Sequence, residues 1–228
     1  MTNFIQKRMF IRLTFVEPIL AATPGDKEIY SRYVGNKAPD AKTMKEELED
    51  VGLNEMIERG TNVFLTDKDG NPYLSNHVIK GFFKESAKSL RRVKPQKDEK
   101  GKEQKNESSK MSAYLQKIDT LIKVYPRKLK FKHPDDLPQN LIEEFQRPLR
   151  ASTPQGERVA LANSEMLPED TTLEFEIQLF DETHEPAVRE WLDYGFYHGL
   201  GQWRNADFGC FEWEEISEET FLENNKLA

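Results

Sequence analysis

Gly199-Leu-Gly-Gln-Trp-Arg-Asn-Ala-Asp-Phe-Gly209 is the stretch on which the reading of this chain turns. It lies between an amphipathic helix pattern and the last strand-like run. Glycines at 199, 201 and 209 can take positive φ and let other backbone come close. Between them, Gln202, Trp203, Arg204 and Asn205 offer a flat ring, a guanidinium and two amides. Such a stretch serves either as a tight helix-to-strand turn or as a loop that holds a backbone phosphate or a base.

Upstream of the turn, a helix is predicted from Pro186, a favoured first-turn residue, to Gly199. Its apolar face is Val188, Trp191, Leu192, Gly195 and Phe196. Downstream, Phe211 and Trp213 mark a short strand, and an acidic tail covers 215–228. Two stretches alternate with period two and predict strands. In 9–16, Ile11, Leu13 and Phe15 oppose Arg12 and Thr14; further on, Leu173, Phe175, Ile177 and Leu179 oppose Glu174, Glu176 and Gln178.

The first half holds a helix at about 78–92, with Ile79, Phe82, Phe83, Ala87 and Leu90 at helical spacing. Lys80, Lys84 and Lys88 form a stripe elsewhere on its surface, extended by Arg91 and Arg92. Like charges four residues apart repel by a few tenths of a kcal/mol (about 0.2–0.5 per pair), so the stripe suits an anionic partner or simply a wet face. Val63-Phe-Leu65 reads as a short strand, Asp67-Lys-Asp-Gly-Asn-Pro72 as a turn, and 118–124 as a strand. Arg147-Pro-Leu-Arg-Ala151 and Arg158-Val-Ala-Leu-Ala162 flank Ser152-Thr-Pro-Gln-Gly156 as a hairpin-like pair, which carries Arg147, Arg150 and Arg158. Two connections complete the outline: a helical insertion at 24–60, with a helix over 26–34, and a mobile basic loop over 93–111 with little to bury.

At 228 residues the chain suits a single domain with insertions. It has no apolar run of about 18 residues and no signal-peptide core, and its one cysteine, Cys210, excludes an internal disulfide. A cytoplasmic protein is the simplest expectation. The net charge of −7 hides a division. Residues 80–132 carry 17 Lys or Arg against 6 Asp or Glu, and the rest of the chain carries 16 against 34. A basic region on an acidic molecule can create a local positive field. His77, His133, His184 and His198 lack metal-ligand spacing, and no P-loop, dinucleotide fingerprint or nucleophile elbow appears. No metal and no cofactor is therefore expected, and the chain leans away from being an enzyme. Single-stranded RNA is held by positive grooves and flat side chains, which makes the helix stripe, the hairpin arginines and the turn the candidate contacts.

Three stretches in fixed order carry a family resemblance. They are Phe64-Leu-Thr-Asp-Lys-Asp-Gly-Asn-Pro-Tyr-Leu-Ser-Asn-His-Val-Ile-Lys-Gly81, Glu165-Met-Leu-Pro-Glu-Asp-Thr171 before an alternating strand, and the glycine turn 199–209. Together they resemble the RAMP superfamily of RNA-binding proteins, most nearly the repeated backbone subunits of class 1 CRISPR effector complexes. The resemblance implies an α+β fold with a ferredoxin-like βαββαβ core, the RNA recognition motif topology, with helical and loop insertions and with RNA along the sheet side. It implies that Lys80 lies near an RNA backbone and that Ser75 takes one of the small polar positions of the motif before the helix. The family's small-residue triplet reads Ser75-Asn-His77 here, and no aspartate matches the nuclease aspartate of some members. The implied partners are a single-stranded or guide-like RNA, CRISPR effector proteins, or copies of the chain itself, with no membrane. The chain also looks like proteins of phages and prophages of Gram-positive bacteria, on Arg147–Arg158 and Trp191–Asn205. A phage module of this kind would engage guide RNA or an effector complex as a subunit mimic, an anti-CRISPR role. The rival readings are a protein–protein interaction module and a metal-dependent RNA nuclease.

Overall fold

Strand alternation in β1 (Lys7–Phe15) organises the molecule. Met9, Ile11, Leu13 and Phe15 are buried in one core, while Arg8, Phe10, Arg12 and Thr14 take the opposite face. The computed structural model describes residues 4–24, 61–97, 101, 103–153 and 156–225. The helix expected over 26–34 lies outside the described residues, as does the insertion at 24–60 apart from Pro24.

The main sheet is antiparallel. Its β13 (Thr172–Leu179) pairs with β1 in the register Leu13↔Leu173 to Met9↔Ile177, and β14 (Phe211–Glu215) pairs with the other side of β1. Beyond β13 lie β9 (Ile122–Tyr125) and β10 (Lys128–Lys132), then β6 (Pro72–Ser75) and β5 (Leu65–Thr66). Helix α1 (Asn76–Leu90) connects the β6 end of the sheet back toward β9, and α4 (Glu185–His198) connects β13 to β14. Both bury their apolar stripes on the same sheet face. Phe83 meets Trp191 at 5.4 Å between ring centroids, and Phe82 meets Phe211 at 5.5 Å. A second sheet joins β11 (Glu143–Thr153) and β12 (Gly156–Leu167) to the short β2 (Ile19–Leu20), β3 (Thr23–Pro24) and β4 (Asn62–Val63). The fold is thus α+β, and no described helix is long and apolar enough to cross a membrane.

Several expectations need correction. The strand predicted over 118–124 begins as a helix, α3 (Tyr114–Leu121), and only Ile122–Tyr125 pairs with β13. Ile118, Leu121 and Ile122 are spaced for a helix as well as for alternation, and Ile118 is buried from α3. The segment 93–111 is not wholly a loop. It holds the pair β7 (Gln96–Lys97) and β8 (Glu103–Gln104), then the short helix α2 (Glu107–Lys110). Polar groups anchor α2: Glu190 accepts from the Glu107 and Ser108 backbone N–H groups at 2.8 Å each and from the Ser108 hydroxyl. Trp191 Nε1 donates to the same hydroxyl at 2.9 Å. The acidic tail contains α5 (Glu218–Asn224), capped by Ser217 and pinned by buried Phe221 against Phe10.

The outer sheet face differs most from expectation. Arg12 bridges Glu174 at 2.9 Å and Glu214 at 2.7 Å, and Arg8 bridges Glu176 at 2.6 Å. Asn224 and Asn225 of the tail donate to Glu174. Both guanidinium groups are held above their ordinary pKa, Arg8 chiefly by its hydrogen bond to Glu176; at Arg12 burial opposes the rise and the bonds to Glu174 and Glu214 overcome it. RNA lying along β1 and β13 would have to displace α5 and this ladder of ion pairs.

Candidate functional site

The glycine turn is closed by backbone contacts. Gly199, Gly201 and Gly209 all have positive φ. A Cβ on Gly201 would lie 2.3 Å from the Leu20 carbonyl oxygen, and one on Gly209 would lie 2.0 Å from that of Leu200. Leu200 N–H donates to Gly209 O, Gln202 N–H to Leu20 O and Gly209 N–H to Pro18 O. The glycines therefore lock the turn onto the chain after β1 and onto β2. They do not hold open a path for a ligand.

The side chains between them have distinct tasks. Gln202 accepts a hydrogen bond from Asn62 Nδ2 at 3.2 Å. Trp203 has φ 54, an uncommon region for a non-glycine residue, and is wedged between Phe145 at 5.5 Å and Phe208 at 6.3 Å. The Arg147 guanidinium stacks over its ring at 4.8 Å, so the base of the β11–β12 hairpin is docked on the turn. Arg204 Nη1 bonds Glu85 Oε2 at 2.5 Å, and His198 Nε2 lies 3.3 Å from Glu85 Oε1. Burial pushes the Glu85 carboxyl up, but the hydrogen bond and charge of Arg204, then of His198, outweigh it and hold it below its ordinary value. Asn205 is exposed. His198 and the residues 201–205 line an open hollow of about 440 Å³.

The other predicted contacts are divided. Lys80 Nζ donates to Asp119 O at 2.9 Å and Lys84 bonds the Asp119 carboxylate at 2.6 Å. Burial lowers the Lys80 pKa, and neighbouring Lys123 and Lys84 act in the same direction. Arg91 donates to Ser108 O and Met111 O and stacks on Tyr114, which makes it a fastening for α2. Lys88 and Arg92 are exposed, with no ion pair among the described residues. In the β11–β12 ladder, Arg150 stands across from Val159 and Arg158 across from Ala151. Ser75 sits at the end of β6 beside Lys128, with extended backbone and no side-chain cap bond to α1. The structure thus brings Arg147 to Gly201–Asn205 and leaves Lys80 and Lys84 apart, tied to α3.

Sequence reasoning missed Glu85, Phe145 and Phe208, which neutralise Arg204 and seat Trp203. Glu85 had one signal, being an acid within a basic helix. A second, largely apolar cavity of about 280 Å³ joins Gly201 to Ser75 and His77 and is lined by Leu20, Val63 and Phe64 among others. Among the described residues, no group of three or more His, Cys, Asp or Glu is placed to hold a metal ion. Buried Cys210 has its thiol pKa raised by burial, the opposite of an activated nucleophile.

No family model and no curated protein sequence matches the chain. Among solved structures it is similar to chains of CRISPR complexes. One belongs to a type III-B Cmr-beta complex bound to cognate target RNA, with a TM-score of 0.52 and 10% identity over 92% of this chain. This chain spans 60% of the length of that one. Others are a chain of a type IV-B CRISPR complex, at 0.47 and 11% identity over 93% of this chain and 91% of that one, and Cmr6 from Pyrococcus furiosus, at 0.43 and 10% over 90% and 97%. The first likeness is one of fold, and the two lower scores add nothing to it.

Proposed function

We propose that the chain is a non-enzymatic, RAMP-like module that binds single-stranded RNA within or against a class 1 CRISPR effector complex. The observation that carries this reading is the likeness in fold to a chain of an RNA-bound type III-B assembly. Strand order supports a ferredoxin-like βαββαβ core: β14, β1, β13 and then β9 with β10 stand as fourth, first, third and second strands, with α1 and α4 as the two crossovers. The turn supports it chemically, since Trp203, with Arg147 stacked on its ring, and exposed Asn205 border an open hollow. Subunit mimicry that blocks assembly is the narrower form of the same reading.

A second reading, a protein–protein module, is favoured by Phe196 and Tyr197, 47% and 74% exposed, beside the edge strand β14. Titration of fluorescein-labelled single-stranded RNA across salt decides between them. Binding that weakens with salt at a log–log slope of about −0.7 per phosphate contact is expected. Absence of binding at low salt sinks the RNA reading, and effector-complex capture without RNA would favour the second.

A further inference from the structure

We infer that the outer face of β6, β9 and β10 is a stacking platform for single-stranded RNA, with Lys123, Arg127 and Lys128 on its phosphates and Tyr125 under its bases. The inference rests on the RNA reading above and assigns it a surface distinct from the glycine turn. Residues 122–132 carry five Lys or Arg and no Asp or Glu. Their alternation is structural. Ile122, Val124, Leu129 and Phe131 are buried in the core, which turns Lys123, Tyr125, Lys128 and Lys130 to the other face.

The strand register completes the surface. Lys128 stands across from Ser75, and Lys130 across from Tyr73. Lys128 Nζ lies 4.7 Å from the centre of the Tyr73 ring. Tyr125 is 49% exposed beside these cations, an unusual position for a large ring on a sheet that otherwise covers its aromatics. Helix α5 leaves the area open, because its contacts on this side end at Lys132 and Glu174.

Counter-charges mark the margin. Lys130 is paired with Asp67 at 2.9 Å and Lys132 lies 3.6 Å from Glu174. Lys123, Arg127 and Lys128 are exposed and have no carboxylate partner among the described residues. Unneutralised cations spaced around an exposed ring suit a ligand with regular negative charge and flat faces, as a single strand has. An acidic protein segment would use the charges and leave the ring without a task.

The test is fluorescence anisotropy with a labelled single-stranded RNA of roughly 20 nucleotides, long enough to span a module whose site covers about 4–16. The triple variant Lys123→Glu, Arg127→Glu, Lys128→Glu is expected to flatten the salt slope by about 2, at about 0.7 per lost phosphate contact. Tyr125→Ala is expected to lose about tenfold in affinity while Tyr125→Phe keeps it, a distinction that charge alone would not produce. Thermal melts check that each variant folds. If wild type binds but the triple variant and Tyr125→Ala keep its affinity and slope, the platform is overturned and the RNA reading stands, with Arg147→Glu then expected to carry the loss. If wild type does not bind at low salt, both fall. Charge sensitivity with no effect of Tyr125→Ala, together with retention of an acidic peptide, would overturn the RNA platform in favour of a protein contact.

Discussion

Gly201 has two constraints that can be separated by substitution. Its φ of +82 disfavours any side chain, and the Leu20 carbonyl 2.3 Å from a would-be Cβ leaves no room for one. Gly70 has the same φ of +82 with nothing within 4 Å. Gly70→Ala is therefore expected to cost about 1 kcal/mol, the price of left-handed backbone alone. Gly201→Val should cost about 3 kcal/mol or more, because strain and overpacking add. Urea denaturation compares them, and equal midpoints would show that the close approach to Leu20 is unimportant. His133 supplies a pH test. Its imidazole is buried between Thr171 Oγ1 at 3.0 Å and Leu141 O at 2.9 Å. Burial lowers its pKa, overcoming the opposing effects of the Leu141 carbonyl and Glu143. The unfolded chain therefore takes up the proton first, so this contribution is full above about 6.5 and is lost as pH falls through the lower folded value. Burial lowers His184 in the same way, whereas Glu165, raised by burial, works in the opposite sense. The urea midpoint is expected to drop between pH of about 7.5 and 5, and His133→Gln to show a smaller drop.

Single elements differ in how far their sequences announce them. The strands at 9–16 and 173–179 and the helices at 78–92 and 186–199 were legible because each puts four or more apolar side chains on one face at a fixed period. Helix α2 was not, since Glu190, 82 and 83 residues from the groups it holds, supplies its anchor and no apolar stripe announces it. The lysine stripe was legible as a helix face, but nothing local showed that Asp119 would take up Lys80 and Lys84. In the same way the alternation of 122–132 was visible only in part, because its value as a surface depends on the strands beside it. Helix α5 is held mostly by polar contacts: a Ser217 cap, two asparagines on Glu174, Arg8 on Glu218 and Lys132 on the Asn224 carbonyl, with one ring, Phe221, 5.2 Å from Phe10. Phe221→Ala is expected to release it at about 3 kcal/mol, the lower end for loss of a buried Phe. Hydrogen exchange should then rise across 218–224 while α1 and α4 stay protected. Equal loss of protection in α1 would mean that α5 is part of the central core.

At the scale of the whole molecule, the β11–β12 hairpin is the longest ladder and is fastened at its base. Its ladder runs from Glu143↔Met166 to Thr153↔Gly156, and Leu167 and, at the edge, Ile142 join the core beside its base. Its base is fastened by Phe145 and Arg147 on Trp203 and by the Ser164 hydroxyl on Ala21 O at 3.0 Å. Beyond the base, the ladder pairs β11 and β12 with each other among the described residues. Replacing residues 149–160 with an Asn-Gly turn would leave Pro148 and Leu161 as the last facing pair, a geometry that a two-residue turn closes. If this stretch does no more than close its own ladder, the expected cost is under about 1 kcal/mol, a shift of less than about 3 °C in a chain of this size. The same deletion removes Arg150 and Arg158. If both reach phosphates, the salt slope of RNA binding should flatten by about 1.4, while Arg147, kept at the base, continues to hold Trp203. A truncated chain that melts normally and binds with an unaltered slope would confine RNA contact to the body of the molecule. One that loses stability instead would show that the hairpin is braced by more than its base.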